Sequence, residues 1–197
     1  MSNERSAPGA SAPRRQAQGW LADVERLDVA VYVAIANTPT PSLDRALGRL
    51  SRAADHSKLS LSAAAGLAAF GGPAGRRAAA RGLAGLAVTA VIVNAGLKLV
   101  AGRRRPDPAA HAVPDARQVR MPISRSFPSG HSAAAFAFAT GVGGVSPGAA
   151  IPLRALAVAV AYSRVHTGVH YPGDVIAGAL TGVTFAELTN RALQRGR

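Results

Sequence analysis

The chain has no cysteine, which excludes a disulfide framework, a thiolate metal site and a cysteine nucleophile. Aromatic residues make up only 5% of it, too few for the stacked rings that bind single-stranded nucleic acid. Charged residues are also scarce, at 17% against the roughly 25% of ordinary soluble domains. Acidic groups number 10 against 23 lysines and arginines, and the only lysines are Lys58 and Lys98. No alternating pattern marks a strand, and no internal repeat is present. What remains of the 197 residues is an Ala- and Gly-rich chain, 48% hydrophobic, with a net charge of +13. It is long enough for one domain of ordinary size and too hydrophobic to be disordered throughout. Its composition suits a protein that meets a membrane, an anionic ligand, or both.

Residues 1–19 are rich in Ser, Ala, Pro, Gly and Gln and are expected to form a disordered basic tail. After it, Asp23, Glu25, Arg26 and Asp28 interrupt the apolar pattern, so no cleaved signal is read there. Residues 20–41 are expected to form a short, interfacial first helix, with Trp20 at headgroup level and prolines 39 and 41 stopping it. From Ser42 to Lys58, Leu43, Ala46, Leu47 and Leu50 recur at helical spacing, which predicts an amphipathic helix capped by Ser42. Residues 59–72 read as a short, buried or tilted helix. Residues 82–102 carry roughly 20 residues with a single charge, Lys98, which meets the criterion for a membrane span. The later apolar stretches, 132–145, 149–162 and 175–188, are made largely of small residues, which let helices pack closely in lipid. The expected fold is all-α: a membrane-embedded bundle of five to six short helices with its site at one membrane face. The core covers residues 42–190, followed by a basic C-terminal tail, 191–197. A soluble Ala-rich bundle is the alternative.

In such a bundle the informative residues are the polar ones, and they gather at three places. Lys98 to Pro106 ends the longest apolar helix. Ser126 to His131 directly precedes another. Ser163 to Asp174, with Arg164, His166 and His170, joins the last two. Alternating helix direction puts all three on one side of the bundle. Each has a plain alternative when taken alone: a juxtamembrane basic run attracted to headgroups, a turn with a helix cap, a structural His–Asp pair. None of these explains why the groups share one face.

Together they suit a phosphate. Lys98, Arg105 and Arg164 supply three cations, and guanidinium forks match phosphate oxygens. Ser129 is placed as an N-cap, so the amides of Gly130 and His131 face outward at the positive end of a helix. Of the two histidines, His170 is the better nucleophile, because Asp174 four residues on can hold one ring nitrogen protonated. His131 is then the general acid. Asp107 and Asp115 are isolated, so no metal site and no cofactor are expected.

Lys98 with Arg105-Pro106, Pro128-Ser129-Gly130-His131, and Ser163-Arg164 with His170 and Asp174 together resemble the three-part signature of the type-2 phosphatidic acid phosphatase family. The resemblance spans roughly residues 42–190. It implies a helical core, usually of six membrane helices, and magnesium-independent removal of phosphate from lipid phosphates or pyrophosphates. It further implies a phosphohistidine at His170 activated by Asp174, and leaving-group protonation by His131. Phosphate binding would fall to Lys98, Arg105, Ser129, Gly130 and Arg164, with His166 outside the essential set. Expected partners are a lipid phosphate and membrane lipids, not nucleic acid; the oligomeric state is not legible. Candidate substrates are phosphatidic acid, a polyprenyl (pyro)phosphate or a prenyl-linked sugar phosphate. Vanadium haloperoxidases and soluble acid phosphatases look similar at this pocket, and a non-catalytic basic membrane protein that binds anionic lipid is the alternative from another class. Basic residues 76, 77, 81, 191, 195 and 197, read as lying opposite the site, make that side cytoplasmic by the positive-inside rule. The site then faces outward from the plasma membrane.

Overall fold

The computed structural model describes residues 12–101 and 103–196. Among these there are seven helices: α1 Ala12–Asn37, α2 Pro41–Ala53, α3 Lys58–Phe70, α4 Gly72–Val91, α5 Gly130–Gly143, α6 Pro147–His166 and α7 Pro172–Arg195. A π-helical segment, Ile92–Leu97, and a last turn, Lys98–Val100, extend α4. That is one helix more than the upper expectation. Residues 12–19, expected in the disordered tail, are already helical. The rest of the tail expectation, residues 1–11, lies outside the described residues, as do Gly102 and Arg197.

Local chemistry sets the helix boundaries. Thr40, rather than the expected Ser42, is the N-cap of α2, because Pro41 sits at the first helical position, where its missing N–H costs nothing. The Thr40 hydroxyl bonds to Asp44 Oδ1 at 2.9 Å. The helix expected over 82–102 starts ten residues earlier. Gly72 takes a φ of +57°, a conformation glycine adopts without a Cβ clash, and Pro73 begins the new helix. Arg76, Arg77 and Arg81, expected in a loop, therefore lie on α4. Arg81 is buried and donates to the carbonyls of Asn190 at 3.0 Å and Leu193 at 3.4 Å, so it caps α7 instead of meeting lipid.

The bundle is organised around α5, which packs against α4, α6 and α7. Its sequence, GHSAAAFAFATGVG, is nearly all small residues and phenylalanine, so neighbouring backbones come close. A Cβ on Gly182 would lie 2.3 Å from the Ala133 carbonyl oxygen, and one on Gly178 would lie 2.4 Å from that of Ser129. The α5–α7 contact is thus backbone against side-chain-free backbone, and it fixes the two helix starts that carry Ser129 and Asp174. Outward-facing residues are apolar, including Val91, Ile151, Val158 and Leu180, as a lipid-facing surface requires. Two helices are long and apolar enough to cross a membrane, Gly72–Val100 and Pro147–His166.

One buried arginine holds the long connection between α4 and α5 in place. Arg117 is 1% exposed. It donates to the carbonyls of Ile35, Ala36 and Thr38 at 3.1, 3.3 and 2.6 Å, the free acceptors at the C-terminal end of α1. Its Nε lies 2.8 Å from Asp44 Oδ1. His166 Nε2 reaches the same oxygen at 3.0 Å, so His166 is tied to this structural corner. Removing a buried charge partner typically costs about 3–5 kcal/mol. Arg117→Ala is therefore expected to lower the thermal midpoint of the detergent-solubilised protein by many degrees, and Arg117→Lys to recover little of it. An unchanged midpoint would contradict this role.

Candidate active site

The three expected clusters meet at one end of the bundle, where α4 and α6 finish and α5 and α7 begin. Ser129 caps α5: its Oγ accepts from the Ser132 amide at 3.4 Å and from the Ser132 hydroxyl at 3.1 Å. Its own amide donates to the Asp174 carbonyl at 2.9 Å. Fully buried, the Ser129 side chain acts on the helix start, and Gly130 beside it is open. A Cβ on Gly130 would lie 3.4 Å from Lys98 Nζ, so the ammonium sits directly over the α5 N-terminus. The π-helical segment just before Lys98 shifts the register of α4 at this point, a distortion common at functional sites.

His170 lies in the loop between α6 and α7, 1% exposed. Its Nε2 is 3.0 Å from an Arg105 Nη1. A guanidinium can only donate, so Nε2 is the bare nitrogen and Nδ1 carries the proton. Nδ1 is 3.5 Å from Asp174 Oδ2, and the Ser126 hydroxyl lies between them, 3.3 Å from Nδ1 and 2.5 Å from Oδ2. The expected His170–Asp174 pair is present as a triad with Ser126. Asp174 is held in turn by the Tyr171 amide at 3.0 Å and by Arg103 at 3.1 Å. Arg103 also pairs with Asp28 at 2.6 Å and stacks over the Tyr171 ring, 4.2 Å from its centre.

Lys98 and Arg105 converge on the Ser124 hydroxyl, at 3.3 and 3.2 Å. On the other flank, Arg164 is 1% exposed and donates Nη1 to the Ser51 hydroxyl at 2.7 Å. Its Nε and Nη2 are buried without a hydrogen-bond partner. His131 Nε2 is 3.0 Å from Asp55 Oδ1, and the same oxygen is 3.7 Å from Arg164. Asp55 sits on a single 3₁₀ turn whose next two residues, His56 and Ser57, have φ values of 55° and 57°. Among the described residues, no three His, Cys, Asp or Glu side chains gather as a metal cluster.

All of the expected site residues thus stand at one end, and five further ones join them: Asp28, Asp55, Arg103, Ser124 and Ser126. Arg103 and Ser126 fell inside two of the clusters without being assigned roles. Asp28 and Asp55 lie in segments with no motif, and their partners are more than seventy residues away in sequence.

The signature residues lie within a matched stretch: the family model described as PAP2 superfamily covers residues 79–197. The chain belongs to the PAP2 superfamily. The chain is 38% identical over 98 residues to a lipid A 1-phosphatase of Rhizobium johnstonii, covering 47% of this chain and 39% of that protein. It is 36% identical over 95 residues to the decaprenylphosphoryl-5-phosphoribose phosphatase of Mycobacterium tuberculosis, covering 48% and 50%. The match therefore spans half or less of either relative. Among solved structures, Aquifex aeolicus LpxE aligns with a TM-score of 0.66 at 25% identity, over 84% of this chain and 95% of that one. The transmembrane PAP2-type phosphatidylglycerolphosphate phosphatase of Bacillus subtilis aligns with a TM-score of 0.66 at 24% identity, over 89% and 88%. The helices thus form an integral-membrane PAP2 bundle, as the sequence led one to expect.

Burial pushes the His170 imidazole down from its ordinary 6.5 to about 4. The charges of Arg105 and Arg164 push the same way, against the opposing pull of Asp174. The neutral ring with a bare Nε2 is therefore the form present from pH 5 upward, and protonation removes the lone pair only as pH falls through about 4. After correction for the substrate's own ionisation near pH 6, kcat/KM is expected to show no His170 limb between pH 5 and 8 and to fall near pH 4. A corrected limb at 6.5 that vanishes on substitution of His170 would show the imidazole to be solvated.

Proposed function

We propose that the protein is a phosphatase that removes phosphate from a membrane lipid phosphate through a phosphohistidine on His170. The observation that carries this reading is Arg164, a buried guanidinium with two donors left unpartnered. Buried donors without partners are costly, and a phosphoryl group between Arg164, Lys98, Arg105 and the α5 N-terminus would satisfy them. The relatives' names support the substrate class, since each is a phosphatase of a lipid-borne phosphate.

In this mechanism Arg105 transfers its hydrogen bond from His170 Nε2 to a phosphoryl oxygen, freeing the lone pair to attack phosphorus. The P–O bond to the lipid breaks as His131, which gains its proton beside the bound phosphate dianion and Asp55, gives it to the departing oxygen, and a P–N bond to His170 forms. Lys98, Arg105 and Arg164 stabilise charge on the equatorial oxygens. The Nδ1 proton stays on the ring, where Asp174 and Ser126 stabilise the positive charge that develops. Water then attacks phosphorus, giving its proton to His131. The P–N bond breaks, the lone pair returns to Nε2, and phosphate leaves. The candidate substrates are phosphatidic acid, a polyprenyl (pyro)phosphate and a prenyl-linked sugar phosphate.

The proposed orientation places the site on the outer face of the plasma membrane. At the opposite end of the bundle, Arg76, Arg77, Arg154, Arg191 and Arg195 are exposed, which supports a cytoplasmic side. At the site end, Arg104 and Arg120 are exposed as well, while Arg103, Arg105, Arg117 and Arg164 are engaged in the contacts above. The cysteine-free chain lends itself to single-cysteine labelling. With intact cells, an impermeant maleimide is expected to label Ala110→Cys and not Arg76→Cys; the reverse pattern would invert the topology.

The catalytic reading is tested with purified protein in EDTA against a panel of lipid phosphates. Phosphate release from at least one lipid is expected, falling at least a thousandfold in His170→Ala and His131→Ala. Strict dependence on added Mg²⁺ would overturn the mechanism. So would salt-sensitive lipid binding without turnover, the mark of a basic lipid-binding protein.

A further inference from the structure

The proposed mechanism puts the departing oxygen at His131, so whatever the phosphate is attached to must begin there. Three cavities border that ring: a narrow one of about 30 Å³ lined by Ala134, Phe138 and Leu156, too small to hold a headgroup, and two larger ones. One, of about 180 Å³, runs between α4 and α5 past Ala90, Val93 and Ala134. The other, of about 480 Å³, opens beside residues 120–124 and is lined by Asp55, His56, Arg120, Pro122, Ile123 and Ser124. The second is within the size range of small-molecule sites, about 300–1,000 Å³, and its wall is of a different chemical kind.

We propose that this larger cavity is a headgroup subsite for an uncharged polyol. The preferred substrate would then carry its phosphate on a sugar or similar hydroxyl-bearing group, with the lipid tail attached elsewhere, and not on the hydrocarbon alcohol itself. The inference rests on the phosphatase reading above and adds the class of leaving group.

Three observations carry it. First, the wall offers acceptors and donors together. Asp55 can only accept while ionised, and its side chain is 40% exposed. Both of its ion-pair contacts are made by Oδ1, which leaves Oδ2 without a partner among the described residues. Arg120 can only donate; it is exposed and makes no hydrogen bond or ion pair among the described residues. Hydroxyl groups do both, so a polyol can satisfy the pair at once. Second, a hydrocarbon chain in this place would strip water from Asp55 and Arg120 and return nothing, and a second phosphate would meet the Asp55 carboxylate beside His131. Third, the turn that presents Asp55 places two consecutive non-glycine residues in the left-handed region. That conformation is costly, and where it persists it often belongs to a working site. Pro122 and Ile123 supply an apolar side against which the carbon face of a ring can lie.

The test compares three substrates sharing one prenyl tail, assayed with the full-length protein in detergent. These are the tail monophosphate, the tail diphosphate, and the tail linked to a sugar that bears a phosphomonoester. The sugar-borne phosphate is expected to have at least a tenfold higher kcat/KM than either of the others. In Arg120→Ala and Asp55→Asn that ratio is expected to fall about tenfold, the size of one or two lost hydrogen bonds. Because the ratio is taken within one preparation, loss of folded protein does not change it. Equal or better turnover of the tail monophosphate, or an unaltered ratio in both variants, overturns the inference and leaves the phosphatase reading standing. Absence of phosphate release from every lipid, or release that persists in His170→Ala, overturns the phosphatase reading itself.

Discussion

Positive charge held inside a bundle of small apolar helices is the constraint on which this structure depends. A buried guanidinium costs several kcal/mol unless its donors are satisfied. The chain meets that cost in two distinct ways. Arg117 and Arg81 are spent entirely on the fold, closing the carbonyl ends of α1 and α7. Arg164 is only half spent: Ser51 takes one nitrogen, and two others remain without protein acceptors. The same residue type therefore marks both the fasteners of the fold and the place where it is incomplete, and only the hydrogen-bond accounting tells them apart.

The carboxylates make the same distinction from the other side. Asp44 is saturated by Thr40, Arg117 and His166, and Asp28 by Arg103 and the Gly173 amide. Asp174 is enclosed by Ser126, Tyr171 and Arg103, which keep its charge beside the protonated nitrogen of His170. Asp55 alone of these four is substantially exposed. His131 and His170 consequently have unlike surroundings: the first borders open cavities beside Asp55, whereas the second is enclosed against Arg105 and Asp174. Under the proposed mechanism, that contrast suits a group that meets changing leaving groups and one that attacks the same atom every time.

Much of this was legible in the sequence, for reasons that also explain the rest. Lys98, Arg105, the Ser129 cap, His131, Arg164 and the His170–Asp174 spacing are local patterns, each read within a few residues. Ser129 caps α5 as its position before an apolar run required. Asp28, Asp55 and Arg117 gave no such signal, because their partners lie across the bundle and spacing along the chain carries no information about them. Asp28 looked like an interruption of an apolar stretch, and Arg117 belonged to no motif. The missed start of α4 has a different origin. Arg76, Arg77 and Arg81 resemble a connecting loop by charge, yet Gly72 and Pro73 are sufficient to begin a helix there, and Arg81 finds its acceptors only because α7 ends nearby.

The stretch from Arg103 to Ser126 has one consequence of its own. It is anchored at its start by Asp28 and Asp174, at its middle by the carbonyls of α1, and at its end by the Arg103 carbonyl, which accepts from the Ser126 amide at 3.1 Å. A connection fastened at three points is a bracket and not a flap. Any molecule that approaches this end of the bundle meets a fixed rim there.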